Sequence, residues 1–355
     1  MMPRHSMAAL LGTSLLAALI VALILVALPR FSSTRNVALP PVSTQELLTS
    51  VRTAMPRPLA GSVIVDERFG LSALGPAPDN GPRTARLWFD GAGRRRVSLP
   101  FGGGERTIVN DGTTMWSWDS ASRTVTRAPA SDLPAGDPRQ LARFAGGELL
   151  GNPVDAARAL LTLLTPASVS HLDPADTVAG RPVYELVLQP QPTERTLLRE
   201  VRIALDGQTR MPLGLTVLAN GSTQPALQLA FTELTFGPQP SSLFQFHPPP
   251  GAKVTDHSTR LASASRGRSA RESDQPTTLV GTGWDTVLVR RLCPAAQSAV
   301  PLTPEALDQL STPIKGPWGH GRLIHTGVGN AVLTSDGRLA VGAVPAQVIT
   351  KALAR

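Results

Sequence analysis

Residues Leu198 to Phe236 read LREVRIALDGQTRMPLGLTVLANGSTQPALQLAFTELTF, and three times in this stretch apolar side chains fall on alternate positions. Val201, Ile203 and Leu205 share one face, followed by Leu213, Leu215 and Val217, and then by Leu227, Leu229 and Phe231. A period of two is that of an extended strand with one buried face. The links carry Asp206-Gly207 and Asn220-Gly221, pairs that tolerate the positive φ of tight turns. Strand, turn and alternation together predict an antiparallel meander.

The same pattern extends toward the N-terminus. Asp176 to Val178, a turn at Ala179-Gly180-Arg181-Pro182, and Val183 to Gln189 precede the meander. Further upstream, Gly61–Phe69, Thr84–Asp90, Arg94–Leu99, Glu105–Asn110, Thr113–Asp119 and Arg123–Ala128 read as six more strands. One helix precedes these strands and a second interrupts the run. Ser43-Thr44-Gln45-Glu46 has capping-box spacing ahead of Leu47, Leu48, Val51 and Met55, and Pro56 and Pro58 close that helix. Asn152-Pro153 reads as an N-cap with Pro at the first helical position, and Val154, Ala157, Leu160, Leu161 and Leu164 continue an apolar stripe to Pro166.

At the C-terminal side, residues 255–277 are rich in Ser and Arg and read as a linker. Beyond it come a strand over Thr278–Arg290, a short helix over Pro304–Leu310, a strand pair over Gly321–Leu333, a strand over Leu339–Val344 and a closing helix over Pro345–Leu353. The predicted organisation is an N-terminal segment 1–30, a spacer 31–41, a main domain 42–254, the linker 255–277 and a small α+β module 278–355.

Met7 to Leu28 is an apolar run of Ala, Leu, Ile and Val bracketed by Arg4 and Arg30. As a helix its 22 residues reach roughly 33 Å, enough for a hydrocarbon core of about 30 Å. A cleavable signal has a shorter apolar region of about 7–15 residues and a small-x-small ending, which Val26-Ala27-Leu28-Pro29-Arg30 lacks. The reading taken is an uncleaved signal anchor, single-pass in the cell membrane, with the bulk of the chain extracytoplasmic; cleavage near Ala38 would instead secrete it. No Cys follows the run, which argues against a lipid-anchored lipoprotein.

The formal net charge of +8 is carried almost wholly by Arg, with Lys only at 253, 315 and 351. Arg is scattered along the chain, without the one-sided concentration beside stacking aromatics that nucleic-acid binding requires. The single Cys293 excludes an internal disulfide and a thiolate metal cluster. His5, His171, His247, His257, His320 and His325 show no metal-ligand spacing, and no G-x-S-x-G elbow, P-loop or dinucleotide fingerprint is present. The expectation is a protein that is not an enzyme, with no cofactor and no metal.

What remains is an apolar sheet face. Leu87 and Phe89 share a face on one strand and Trp116 and Trp118 on another, with Met115 and Ser117 opposite. Together with Val201, Ile203, Leu215, Val217, Leu229 and Phe231 they are the candidate ligand-facing residues. Such a face must be covered by helices, a second sheet or a ligand. Either the two helices simply fill it, or a partly open cavity accepts an acyl chain.

The order of these motifs resembles a known family. Val178-Ala179-Gly180-Arg181-Pro182-Val183-Tyr184-Glu185-Leu186, Met211-Pro212-Leu213, Phe231-Thr232-Glu233-Leu234, Phe244-Gln245-Phe246 and Pro248-Pro249-Pro250-Gly251 are similar to those of the lipoprotein-carrier superfamily, which includes LolA, LppX-type lipid carriers and the sigma-factor regulator RseB. Gly281-Thr282-Gly283-Trp284, Gly316-Pro317-Trp318-Gly319 and Asp336-Gly337-Arg338 resemble the appended module of membrane-anchored LolA-like proteins from high-GC Gram-positive bacteria. The resemblance implies an α+β fold, an antiparallel unclosed β-barrel (half-barrel) wrapped around helices. It also implies a cavity for lipid or lipoprotein acyl chains at the cytoplasmic membrane. An RseB-like alternative is an envelope-sensing module that docks on a membrane partner such as an anti-sigma factor. The classical carriers shuttle freely, whereas an anchored chain would act at one membrane.

Overall fold

The computed structural model describes residues 39–68, 81–130, 153–256, 278–291 and 311–354. The apolar run Met7–Leu28, Asn152, Cys293 and the expected helix Pro304–Leu310 lie outside them, as does the linker beyond Asp256. Among the described residues no helix is long and apolar enough to cross a membrane.

Two meanders form one large open sheet. Strands β1 (Leu59–Glu67), β2 (Arg83–Phe89), β3 (Arg95–Phe101), β4 (Gly104–Asn110), β5 (Thr114–Asp119) and β6 (Thr124–Pro129) follow one another. So do β7 (Ser168–Val178), β8 (Arg181–Pro190), β9 (Leu198–Asp206), β10 (Pro212–Ala219) and β11 (Pro225–Phe236). Antiparallel pairing of β1 with β11 joins the two sets, and β12 (Lys253–Asp256) adds in parallel beside β6. The resulting order is β12-β6-β5-β4-β3-β2-β1-β11-β10-β9-β8-β7.

Turn chemistry sets the register. Ala179 and Gly180 both take positive φ, 49° and 71°, in the two-residue β7–β8 link, the backbone that a tight hairpin needs. Asp90 Oδ1 accepts from the Ala92 and Arg94 N–H groups, and Asp111 Oδ1 accepts from those of Thr113 and Thr114. These carboxylates stand in for missing backbone partners.

Helix α1 (Thr44–Thr53) starts where Ser43 Oγ accepts from the Glu46 N–H at 3.2 Å. Its Leu47, Leu48 and Val51 enter the main core, but Met55 lies past its end and is 78% exposed, contrary to the helical stripe expected of it. Helix α2 (Pro153–Leu164) turns Ala156, Ala157, Leu161 and Leu164 toward the same core. Register places Leu59, Val63 and Val65 of β1 beside Phe236, Phe231 and Leu229 of β11, and Leu215 beside both Leu229 and Ile203. One contiguous apolar layer thus runs from β5 to β8 beneath two short helices.

A second sheet, ordered β13-β14-β18-β17-β16-β15, is made of β13 (Thr278–Val280), β14 (Val287–Arg291), β15 (Ser311–Gly316), β16 (Gly319–Thr326), β17 (Gly329–Thr334) and β18 (Arg338–Gly342). Helix α3 (Ala346–Leu353) packs Val348, Ile349, Ala352 and Leu353 on Val287, Val332 and Ala340. The single strand expected over Thr278–Arg290 is two strands. Gly281 and Gly283 take positive φ, 92° and 59°, and a one-turn 3-10 helix at Gly283–Asp285 reverses the chain. Strand β15 was not foreseen, because Pro313, Lys315 and Gly316 hide its alternation.

Residues 237–252 cross the outer face of β3–β6 as a strap. Phe244 is buried with the Arg94 guanidinium 5.3 Å from its ring, and Arg123 Nη2 donates to the Pro250 carbonyl at 2.7 Å. Burying Phe244 secures the strap and delivers the chain to β12.

Candidate functional site

The inner face of the large sheet gathers seven of the ten candidate ligand-facing residues. Leu87, Val201, Ile203, Leu215, Val217, Leu229 and Phe231 are all buried in the main core, and Phe89 packs against its margin. Trp116 and Trp118 do not join them. In β5 it is Met115 that enters the core, so the two tryptophans point to the outer face. There Trp116 lies 5.5 Å from Phe246 of the strap, donates Nε1–H to Asp111 Oδ2 at 3.1 Å and carries the Arg127 guanidinium 5.3 Å from its ring. The correction has a simple cause: both faces of β5 are covered, and alternation does not say which cover is the core.

Among the described residues the inner face is largely covered. A cavity of about 30 Å³ remains between the helices and β1–β3, lined by Pro56, Leu59, Leu87, Phe89, Val154 and Met211 together with Arg95, Asp155 and Arg158. On the face expected to accept an acyl chain, α2 packs Ala156, Ala157, Leu161 and Leu164.

Three charged groups sit at this apolar cavity. Arg95 falls on the inner face of β3, two residues before Val97, and its Nη1 donates to Asp155 Oδ2 in the first turn of α2. That ion pair is largely sheltered, with 16% and 17% of the two side chains exposed. One turn on, Arg158 donates from Nη2 to the Ala54 carbonyl at the end of α1, at 3.1 Å. Its Nε is buried and, among the described residues, has no hydrogen-bond partner. Burial pulls the Arg158 pKa below the usual guanidinium value, against the partial restoring field of Asp155.

None of these three residues was singled out from sequence. Arg95 was legible as a charge on an apolar face, since it has the parity of Val97 and Leu99; Asp155 and Arg158 share a helix face at i, i+3. What was not legible is that the two elements meet.

A second concavity, a groove of about 440 Å³, is lined by Thr162, Leu163, Pro166, Ala167, Gln191, Glu194 and Gly281–Gly283. Here the C-terminal module meets the large sheet. Trp284 is buried in the main core, donating Nε1–H to Ser168 Oγ at 2.9 Å and its backbone N–H to Glu194 Oε2 at 3.0 Å. Among the described residues no group of three or more His, Cys, Asp or Glu side chains is placed to hold a metal.

No family model matches this chain, and no curated protein matches it. Solved structures do. The complex of MucA and MucB from Pseudomonas aeruginosa contains a chain 19% identical, matched over 86% of this chain and 94% of that one, with a TM-score of 0.41. LprF from Mycobacterium bovis is 11% identical over 60% of this chain and 100% of its own, at 0.31. A LolA-superfamily protein from Nitrosomonas europaea is 13% identical over 58% and 99%, at 0.25.

Proposed function

We propose that this chain is a membrane-tethered, extracytoplasmic binding protein that holds the acyl chain of a lipid or lipoprotein against the inner face of its half-barrel, with α2 as the displaceable cover. The observation that carries this is a continuous apolar face on a twelve-stranded sheet that, among the described residues, is covered by two short helices. Magnitudes favour exchange. Lifting Ala156, Ala157, Leu161 and Leu164 off the sheet forgoes roughly 5–8 kcal/mol, whereas burying about fourteen methylenes of a fatty chain taken from water gains about 11 kcal/mol. No chemical step is assigned to the site.

The test uses membranes that contain the full chain and a photoreactive, clickable fatty acid. Crosslinks are expected on peptides bearing Leu87, Leu215 and Leu229. Labelling confined to the run Met7–Leu28, or absent, refutes the reading. The alternative of an envelope-sensing module that docks on a membrane partner, such as an anti-sigma factor, draws on the 440 Å³ groove beside Glu194. It requires a reproducible protein crosslink at Gln191 or Thr282.

A further inference from the structure

Among the described residues, the cavity carries more positive than negative charge, which an apolar chain does not need. Arg95 and Arg158 face it with one carboxylate, Asp155, between them. Among the described residues, Arg95 Nη1 donates to Asp155 Oδ2 and Arg158 Nη2 to the Ala54 carbonyl. Arg158 Nε is buried and, among the described residues, donates to nothing. An unpaired donor on a charged group is costly to bury, and the cost is recovered when an anion supplies the acceptor.

The rest of the lining is Leu59, Leu87, Phe89, Val154, Met211 and Pro56, a wall for hydrocarbon. A cavity of about 30 Å³ has room for a small planar group and none for a chain. The planar guanidinium fork matches a carboxylate in size and shape.

Resting on the acyl-chain reading above, we infer that Arg158, helped by Arg95, is the headgroup site of this pocket and selects a single-chain amphiphile ending in a carboxylate, such as a free fatty acid. The carboxylate accepts from Arg158 Nε. Its chain then runs along Leu87 and Phe89 toward the middle of the sheet as the last turn of α2, bearing Leu161 and Leu164, yields. Asp155 competes with it for Arg95, which sets the affinity.

The experiment measures competition for the photoreactive label in membranes containing the full chain. Its readout is the ratio of methyl palmitate to palmitate concentrations that halve labelling of the inner-face peptides. Wild type is expected to prefer the acid about tenfold or more, the size of one charge-assisted hydrogen bond. In Arg158→Met the ratio should fall toward one. A wild-type ratio near one overturns the headgroup site while leaving the acyl-chain reading intact, and so does a ratio that Arg158→Met leaves unchanged. Absence of inner-face labelling in wild type overturns both. If Arg158→Met does not fold, Asp155→Asn decides: freeing Arg95 should raise the ratio severalfold, and a ratio unchanged or lowered sinks the proposal.

Discussion

Gly61 lies on the inner face of β1, opposite Leu234 of β11 and Leu87 of β2. A Cβ there would come within 2.5 Å of the Glu233 carbonyl oxygen and 2.8 Å of the Phe231 ring. The carbonyl is in the sheet ladder and cannot swing away. Gly61→Ala is therefore expected to cost about 1–3 kcal/mol through overpacking, seen as a lower Tm with the same far-ultraviolet circular dichroism at low temperature. An unchanged Tm would show that β1 and β11 separate more easily than their pairing implies. The buried Asp206 is the opposite case of a residue that its surroundings satisfy. Burial alone would push its carboxyl up, but hydrogen bonds from Arg181 and Thr209 more than offset this and hold it below the usual range. Its contribution is present above the ordinary carboxylate value and is lost as pH falls through its depressed pKa.

At the edge formed by β7, β8 and β9, one arginine serves three carboxylates. Arg202 donates from Nε to Glu200 at 2.7 Å and from Nη1 to Asp173 at 2.8 Å, with Glu185 at 3.5 Å. His171 also faces Asp173, at 3.4 Å. Burial pushes the Glu185 carboxyl up; Arg202 pulls it back, and Asp173, Asp176 and Glu200 push it further. A folded pKa above the unfolded one means that folding favours the protonated form. The penalty is absent below the ordinary carboxylate value and fully present above the raised one. Glu185→Gln should thus raise Tm near pH 7, and the gain should shrink toward zero as pH falls to about 4.3. A gain that persists at low pH would mean that packing, not charge, is responsible. Elements of this kind were legible in part. Alternation located the strands to within a few residues, yet it missed the first eight residues of β7, where Ser168, Ser170, His171 and Asp173 dilute the apolar signal.

On the scale of the molecule, the C-terminal module is joined to the large sheet by a few residues of high consequence. Trp284 is 3% exposed within the main core, Arg195 pairs with Asp285, and both the Leu197 N–H and Thr196 Oγ1 donate to the Ala343 carbonyl at 2.8 Å. A Cβ on Gly283 would come within 2.2 Å of Ala167 Cβ, so glycine permits this approach. Trp284→Ala should cost about 3–5 kcal/mol and speed hydrogen exchange in both β14 and the β8–β9 link. Faster exchange in β14 alone would show that the module folds independently of the sheet. The Arg195–Asp285 pair, with the arginine more than half exposed, should matter far less.

By itself the sequence determined the local structure: strands from a period of two, turns from Asp, Asn and Gly, helix starts from Ser43 and Pro153, and the extent of the apolar surface. These depend on neighbours a few positions apart. Tertiary structure alone decided which face is the core, that α2 packs on the face expected to accept an acyl chain, and that Arg95 and Arg158 meet there. Each depends on residues far apart in the chain, such as Phe246 reaching Trp116 or Asp155 reaching Arg95. Alternation carries parity but no partner, so an apolar face reads the same whether a helix, a strap or a ligand covers it.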